Sequence, residues 1–336
     1  MPNNTIRKRF WTPNGLYITE RVARSNRIGE GEITRPGKNG GVFLFRVDAD
    51  LYLKEGQEAF LNIARKYGVK TTWFVNVGNY LGSPAGLEQL LNDDLVEVQS
   101  HAFLHRVYPD KARNINNLRE AEKHLPPRRV KGVVAPYGIW NEGFQSALEE
   151  LGINYSSEFG LAYDRAPFYP RVMDRPSTVI QIPIHPVCSG SFAYAGLPVD
   201  EACRYFARVI EEKYRQGIPI ILYGHPNDRD IAYNSQVLDF IFNYASSLAG
   251  VKSLSFAQYY KTLCLDGEGE PGGQMKTSTS SFSGPVKYPL PIRLKWLAVC
   301  LLSEIKQRFL DDILPPGGKQ IVLDLWKRIR GTIKHG

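Results

Sequence analysis

Residues 41–265 show a repeating pattern of short apolar runs and longer amphipathic segments, which predicts alternating strands and helices. Val42–Val47 is an apolar run with a single charged residue, as expected of a buried strand. Gln57–Tyr67 places its apolar residues at helical spacing, and Gly68 follows as a helix stop. The same succession of strand and helix continues down the chain.

Further elements are predicted from the same two periodicities. The other strands are predicted at Thr71–Val77, Val96–Gln99, Gly132–Ala135, Asn154–Ser156, Ile180–Pro183, Ile218–Tyr223 and Lys252–Ser255. The other helices are predicted at Leu87–Leu91, Ile115–Leu125, Phe144–Leu151, Asp200–Tyr214 and Ser235–Leu248. Strands alternating with helices of about ten residues favour a parallel sheet with helical crossovers. Both a closed (β/α) barrel and an open doubly wound sheet satisfy this pattern.

The composition divides the chain into four predicted parts. Residues 1–40 are polar with weak periodicity and form a lead-in segment, with a short strand near Leu16–Ile18. Residues 41–265 form the α/β domain. Residues 266–290, rich in Gly, Ser, Thr and Pro, are predicted to be a flexible linker. Residues 291–336 carry two amphipathic helical stripes and are predicted to be a basic helical tail.

Charge is concentrated in that tail. The chain carries a net charge of +8, and its last 46 residues hold nine Lys/Arg against four Asp/Glu, a net of +5. This asymmetry and the two apolar stripes suit an anionic membrane surface, although the same stripes could pack on the domain or on a second subunit. The α/β domain lacks a basic stripe interleaved with aromatic residues, so we expect no nucleic-acid partner.

The chain shows no sign of secretion or of a membrane span. Its first ten residues are polar and basic, and no run approaches the roughly 18 apolar residues of a spanning helix. The four cysteines are widely spaced, which is typical of reduced thiols. We therefore expect a cytoplasmic protein, with the tail placing it at the inner face of the membrane.

Polar residues follow four of the predicted strands at their carboxyl ends, where parallel α/β proteins carry their catalytic groups. Asp48 and Asp50 follow the first strand, and His101 and His105 follow the third. Pro136-Tyr137-Gly138 and His225-Pro226 follow two later strands. Each signal is weak alone, because such residues often only cap helices or lie in loops. Their succession at strand ends predicts one pocket.

The residues of this pocket suit a metal site. His101 and His105, four residues apart, are expected on one side of a helical turn, where both imidazoles reach one ion. Asp50 completes a set of two histidines and one carboxylate that leaves positions open for water and substrate. A Zn²⁺ ion held there would acidify water and polarise an amide carbonyl; Co²⁺, Ni²⁺ and Mn²⁺ also suit these ligands. Asp48 and His225 remain as base and acid.

The order of these motifs resembles a known family. Asp-x-Asp, Ser-His-x-x-x-His, Pro-Tyr-Gly, Tyr-Ser-Ser-Glu and a late His-Pro occur in that order between Val42 and Tyr260. This order resembles the NodB-like polysaccharide deacetylases, carbohydrate esterase family four. It is similar above all to the Asp-x-Asp branch, which includes the deformylase of undecaprenyl-linked aminoarabinose. The resemblance implies a distorted (β/α) barrel of about seven parallel strands.

The resemblance also implies a role for individual residues. Asp48 matches the general base, and His225 the general acid. Asp50, His101 and His105 match the metal ligands. Pro136 and Tyr137 match the loop that lines the groove, where the Tyr137 backbone N–H helps to hold the tetrahedral oxyanion.

One position departs from the family pattern. Many members carry an arginine two residues before the Pro-Tyr-Gly proline, where it orients the base, and here Val134 occupies that position. Arg46 or Trp140 is a candidate replacement.

Three further residues are candidates for substrate contact. Trp140 is expected to stack on a sugar ring. Glu158 is also a candidate, with a surface carboxylate as the plainer interpretation. His185 is the third, with a structural hydrogen bond as its alternative role.

Two hypotheses of function follow. The first is metal-dependent hydrolysis of the amide of an N-acylated amino sugar, by deacetylation or deformylation, on a lipid- or nucleotide-linked biosynthetic intermediate. The second is a catalytically silent glycan-binding module on the same barrel, for which Val134 is the main support. The presence of Asp48, Asp50, His101, His105 and His225 together favours the enzyme, because a binding module needs no base, acid and metal.

Overall fold

The computed structural model describes residues 41–265, apart from Gly160, Ala162, Arg165, Met173, Asp174, Ala195, Gly196 and residues 227–229. The predicted lead-in with its strand near Leu16–Ile18, the linker at 266–290 and the tail helices at 291–336 lie outside the described residues. Those assignments remain predictions.

Strands and helices alternate along most of the described chain, as predicted, apart from four successive strands between Tyr155 and Gln181 and two pairs of successive helices. The strands are β1 (Val42–Ala49), β2 (Thr71–Val75), β3 (Val96–Ser100), β4 (Gly132–Val133), β5 (Tyr155–Ser156), β6 (Arg171–Val172), β7 (Arg175–Pro176), β8 (Ile180–Gln181), β9 (Ile220–Gly224) and β10 (Lys252–Ser253). The helices are α1 (Lys54–Tyr67), α2 (Val77–Tyr80), α3 (Pro84–Leu91), α4 (Lys111–Glu122), α5 (Glu142–Glu150), α6 (Ser191–Tyr194), α7 (Val199–Gln216), α8 (Ile231–Ser247) and α9 (Phe256–Leu265). Residues Pro136–Gly138 form a short 3₁₀ turn.

Seven parallel strands form a half-barrel in the order β9-β1-β2-β3-β4-β5-β8. The short strand β10 pairs with the start of β1. The chain after β8 runs towards β9, where the His185 N–H donates to the Ile221 carbonyl at 2.8 Å and the Ser189 N–H to that of Tyr223 at 3.0 Å. The architecture confirms the predicted NodB-like α/β barrel.

The alternation of side chains along strand β1 gives the sheet an apolar face and a face with charged residues. Side chains alternate between the two faces of a strand. Phe43, Phe45 and Val47 pack into the largest core cluster with helices α1 and α8, where Phe45 lies 4.9 Å from the Phe242 ring. The alternate residues, beginning with Leu44 in a different cluster, face the barrel interior. The same alternation gives Arg46, Asp48 and Asp50 one common side.

Helix α1 ends where the sequence predicts. Gly68 adopts a φ of 62°, in the left-handed region, and its backbone N–H caps the helix at Ala64 and Arg65. In residues 41–265, leaving aside the positions that are not described, no helix has both the length and the apolar character needed to cross a bilayer.

Candidate active site

The candidate site lies at the carboxyl ends of β1, β3, β4 and β9. Asp48 is the penultimate residue of β1, and Asp50 follows directly after the strand. The Asn79 side-chain amide donates to the Asp50 carbonyl at 2.8 Å, so helix α2 fixes the backbone where the strand ends.

The two histidines are carried by a loop. The helical turn predicted for His101–His105 is wrong, because these residues follow β3 without helical structure and Ala102 has a φ of +62°. The Asn76 side-chain amide donates to the carbonyls of His101 and Ala102 at 3.1 and 3.2 Å. The Asn117 side chain accepts from the Leu104 N–H at 2.7 Å. Side-chain hydrogen bonds therefore hold the loop in the absence of a helix.

The loop brings both imidazoles against Asp50. Asp50 Oδ1 lies 3.1 Å from His101 Nε2 and 3.1 Å from His105 Nε2. The two Nε2 atoms are themselves 3.1 Å apart. Three ligand atoms thus form a nearly equilateral triangle, and within the described residues they are a group able to hold a metal ion.

This triangle fits a divalent ion of the zinc type. Zinc binds His nitrogen and carboxylate oxygen at about 2.1 Å, so ligands 90–109° apart are separated by about 3.0–3.4 Å. His101 is also oriented as a ligand, because its Nδ1 lies 2.7 Å from the Val134 carbonyl. A proton on Nδ1 donated to that carbonyl leaves the Nε2 lone pair facing Asp50 and His105. The donor set therefore fits the ion that the sequence predicts.

Arg46 holds Asp48. Its Nε lies 2.5 Å from Asp48 Oδ1, and its Nη2 lies 2.5 Å from Oδ2. Nη1 donates to the Ser157 carbonyl. The guanidinium is fully buried and lies 5.5 Å from the Tyr223 ring centroid. Of the two residues considered as replacements for the missing arginine, Arg46 is the one that contacts Asp48.

The two aspartates are held as carboxylates. Burial alone would raise the pKa of Asp48, but the charge and hydrogen bonds of Arg46 hold that pKa below its usual value. Burial likewise opposes ionisation of Asp50, whereas the positive field and hydrogen bonds of His105 and His101 hold its pKa well below the usual value. The field of His225, which follows β9 and whose ring centroid lies 5.7 Å from that of Tyr223, makes a smaller contribution that lowers both pKa values.

The Pro136–Gly138 turn lies against the histidines. Tyr137 has a φ of +60°, unusual for a residue with a side chain, and its ring centroid lies 4.7 Å from that of His105. The Gly138 N–H donates to the Ala135 carbonyl at 2.9 Å and closes the turn. Pro136 and Gly138 are both buried. The turn therefore lies beside one histidine of the triad, and its groove-lining role stays a prediction.

Glu158 is a buried residue, and the interpretation of it as a surface carboxylate is wrong. It is 1% exposed, and its Oε1 accepts the Ala135 N–H at 2.8 Å. Ser156 Oγ lies 2.5 Å from the same oxygen. Burial raises the pKa of Glu158 to about 7, against the opposing charge of Arg46. Because the carboxyl is enclosed by protein, direct substrate contact by Glu158 is not supported.

His185 lies inside a charged cluster. Its Nδ1 is 2.9 Å from Asp164 Oδ2, and its Nε2 is 2.9 Å from the Tyr205 hydroxyl. Lys213 Nζ lies 2.6 Å from Asp164 Oδ1. The imidazole is 2% exposed, so the structural alternative for His185 describes it better than substrate contact does. Sequence reasoning missed the cluster, because its members are far apart in the chain.

Trp140 packs away from Asp48. Its Nε1 donates to Gln145 Oε1 at 2.9 Å, and its ring packs against Leu161 and Phe168. These contacts correct the idea that Trp140 replaces the missing arginine. Its stacking on a sugar ring stays a prediction.

One segment of this chain matches a known protein family. Residues 43–156 match the family model of the polysaccharide deacetylases. Asp48, Asp50, both loop histidines and the Pro136–Gly138 turn lie within the matched segment, and His225 lies beyond it. No curated protein matches the chain.

Solved structures share the fold. A Mycobacterium smegmatis protein assigned to the polysaccharide deacetylases has a TM-score of 0.60 at 16% identity, over 75% of this chain and 100% of its own. A Pseudomonas aeruginosa PAO1 protein with the same assignment has a TM-score of 0.56 at 15% identity, over 68% and 92%. Puue allantoinase has a TM-score of 0.56 at 15% identity, over 69% and 93%. Residues 43–156 thus match the polysaccharide deacetylase model, and the solved structures, at 15–16% identity, show a shared fold.

Proposed function

We propose that this chain is a metal-dependent hydrolase that removes an N-acyl group from an amino sugar during glycan or glycolipid biosynthesis. The observation that carries the proposal is the 3.1 Å triangle of Asp50, His101 and His105 beside a carboxylate held by Arg46. The separations of these three atoms match those of ligands around one divalent ion. When bound, a divalent ion supplies Lewis-acid activation of the amide carbonyl and of water.

The residues around the triad supply the proton transfers. Asp48 accepts a proton from the attacking water, because its carboxylate is kept ionised by Arg46. His225, which follows β9 at the same end of the sheet, donates a proton to the departing amine. The Tyr137 backbone N–H, in the turn against His105, stabilises the oxyanion. Arg46 thereby takes over the orienting role of the arginine that Val134 replaces.

The substrate class follows from the family and from the chain's own motifs. The polysaccharide deacetylase family implies an acetylated carbohydrate. The Asp-x-Asp first motif and the Tyr-Ser-Ser-Glu segment favour the branch that deformylates a lipid-linked amino sugar. A basic amphipathic tail at residues 291–336 suits a substrate presented at the inner face of a membrane.

The proposal is tested by product release. Purified full-length chain, reconstituted with Zn²⁺, Co²⁺, Ni²⁺ or Mn²⁺, is incubated with N-acetylated and N-formylated amino sugars, free and lipid-linked. Allantoin is included because an allantoinase shares the fold. Metal-dependent release of acetate or formate supports the proposal. Glycan binding without release favours the silent module, and turnover of allantoin alone contradicts the proposed substrate class.

A further inference from the structure

Glu158 is a buried carboxyl with no part in the proton transfers described above. It is 1% exposed, and it follows β5 on the segment that lies beside both β4 and β8. Its Oε1 accepts the Ala135 N–H at 2.8 Å, and its backbone N–H donates to Gln181 Oε1 at 3.2 Å. Glu158 thus connects the residue that precedes the Pro136–Gly138 turn to the next strand of the barrel.

The turn needs such an anchor because it is strained. Tyr137 has a φ of +60° and Gly138 a φ of +59°, so two successive residues are left-handed. A non-glycine residue keeps this conformation only where its surroundings impose it. Within the turn, the Gly138 N–H donates to the Ala135 carbonyl at 2.9 Å. Ala135 therefore takes part in two hydrogen bonds. Its carbonyl closes the turn, and its N–H donates to Glu158 Oε1.

Phe159, the residue after Glu158, also packs against this turn. A Cβ atom added to Gly138 would lie 2.5 Å from the Phe159 ring, so backbone and ring are in close contact. Ser157, the residue before Glu158, supports Asp48 indirectly. Its carbonyl accepts a hydrogen bond from Arg46, which in turn binds Asp48. Three consecutive residues, Ser157 to Phe159, therefore contact both the base assembly and the turn.

We propose that Glu158 is a positioning residue, which sets the Pro136–Gly138 turn relative to the metal triad through the Ala135 N–H. This proposal rests on the proposed function, because the turn is taken to stabilise the oxyanion. The proposed role requires an acceptor at Oε1, whereas Oε2 is buried with no hydrogen-bond partner within the described residues. A glutamine, whose amide oxygen accepts the same N–H, should preserve the turn.

The test compares wild type with Glu158→Gln and Glu158→Met, the latter keeping the side-chain length without an acceptor. Backbone hydrogen exchange is measured at Ala135 and Gly138, with β2 as the internal control. We expect Glu158→Met to exchange at Ala135 and Gly138 at least about tenfold faster, with β2 unchanged, and Glu158→Gln to match wild type. On the proposed substrate, kcat of Glu158→Met should fall by about 10²-fold with little change in KM or metal content.

Unchanged exchange at the turn in Glu158→Met overturns the proposal. So does faster exchange that extends equally to β2, because it indicates a general loss of stability. A Glu158→Gln variant whose turn exchanges as fast as that of Glu158→Met also contradicts it, because an acceptor at the Oε1 position would then not be sufficient. The exchange measurements need no turnover. A wild type without amide hydrolase activity therefore ends the proposed function while the positioning of the turn is still decided.

Discussion

Arg46 binds both carboxyl oxygens of Asp48 from two positions upstream on the same strand, at 2.5 Å each. This pair is possible because β1 directs alternate residues to one face, which gives the guanidinium and the carboxylate a common side. The pair is buried, with side-chain exposures of 0% and 5%. A residue on the strand of Asp48, the proposed base, can therefore perform the orienting function that the family pattern places at the position of Val134.

Arg46→Met should abolish most of the activity. The variant leaves Asp48 buried without its counter-charge, and loss of an oriented base lowers kcat by about 10²–10⁴-fold. Arg46→Lys keeps the charge but cannot contact both oxygens at once, so it should retain an intermediate kcat. Steady-state kinetics check this order, with thermal unfolding to confirm that each variant is folded. A methionine variant with the wild-type kcat would show that Arg46 does not orient the base.

Asp48→Asn should separate the base from the metal ligands. The amide keeps the shape of the side chain but cannot take a proton from water, so we expect kcat to fall by about 10²–10⁴-fold. Metal content should stay at the wild-type level, because Asp50, His101 and His105 are unchanged. Elemental analysis beside activity checks both parts. Loss of the metal together with activity would mean that Asp48 is itself a ligand.

Asp164→Asn should destabilise the fold. Asp164 lies between His185 and Lys213, and both would be left buried beside a neutral amide. Removing one partner of a buried ionic group costs about 3–5 kcal/mol. Urea unfolding at neutral pH checks the free-energy difference, with Asp200→Asn, at an exposed ion pair, as the matched control. A loss below about 0.5 kcal/mol, typical of a surface substitution, would contradict this role.

The stability that Asp164 contributes should depend on pH in a defined direction. Burial opposes its ionisation, but His185 and Lys213 hold its pKa well below the usual value. A depressed carboxyl pKa stabilises the fold above the unfolded-state pKa, about 3.9, and this contribution is lost as the pH falls towards the folded-state pKa. The gap in unfolding free energy between wild type and Asp164→Asn should therefore narrow from pH 5 to pH 3. A constant or widening gap contradicts this.

The basic tail is predicted to favour peripheral membrane association. Full-length protein should sediment with anionic vesicles and be released by salt, because screening weakens surface charge attraction. Each basic residue near an anionic surface contributes about 1 kcal/mol, so reversing Lys327, Arg328 and Arg330 to Glu should weaken binding at least tenfold. If the full chain and a chain ending at Leu265 sediment equally little, the tail has another role.

Much of the fold could be predicted from local pattern. Strand β1 and helix α1 are long enough for their periodicity to be read, and Gly68 marks the helix end. Strands β4, β5, β8 and β10 have only two residues each, so their bounds depend on pairing across the sheet. The predicted strand at Thr71–Val77 ended early, because residues from Val77 form helix α2.

The sequence predicted that Asp50, His101 and His105 lie together, as they do in the structure, but not the contacts that support them. Arg46 was named only as one of two candidate replacements for the missing arginine, and its contact with Asp48 was seen in the structure. The left-handed Ala102 has no local sequence signal, so the histidine pair was wrongly expected on a helical turn. Burial of Glu158 depends on the Ala135 N–H, and burial of His185 depends on Asp164 and Lys213. Such distant contacts leave no trace in local periodicity.

The proposal that Asp50, His101 and His105 hold a metal ion needed for hydrolysis is tested most directly by comparing wild type with His101→Ala. Metal content and acyl release are measured for both. His101 Nε2 is one corner of the 3.1 Å triangle, so its removal leaves two ligands for the ion. We expect about one divalent ion per wild-type chain. The variant should lose both the ion and the release of acetate or formate. Wild type that holds no ion after reconstitution, or a variant that hydrolyses the substrate as fast as wild type, would contradict it.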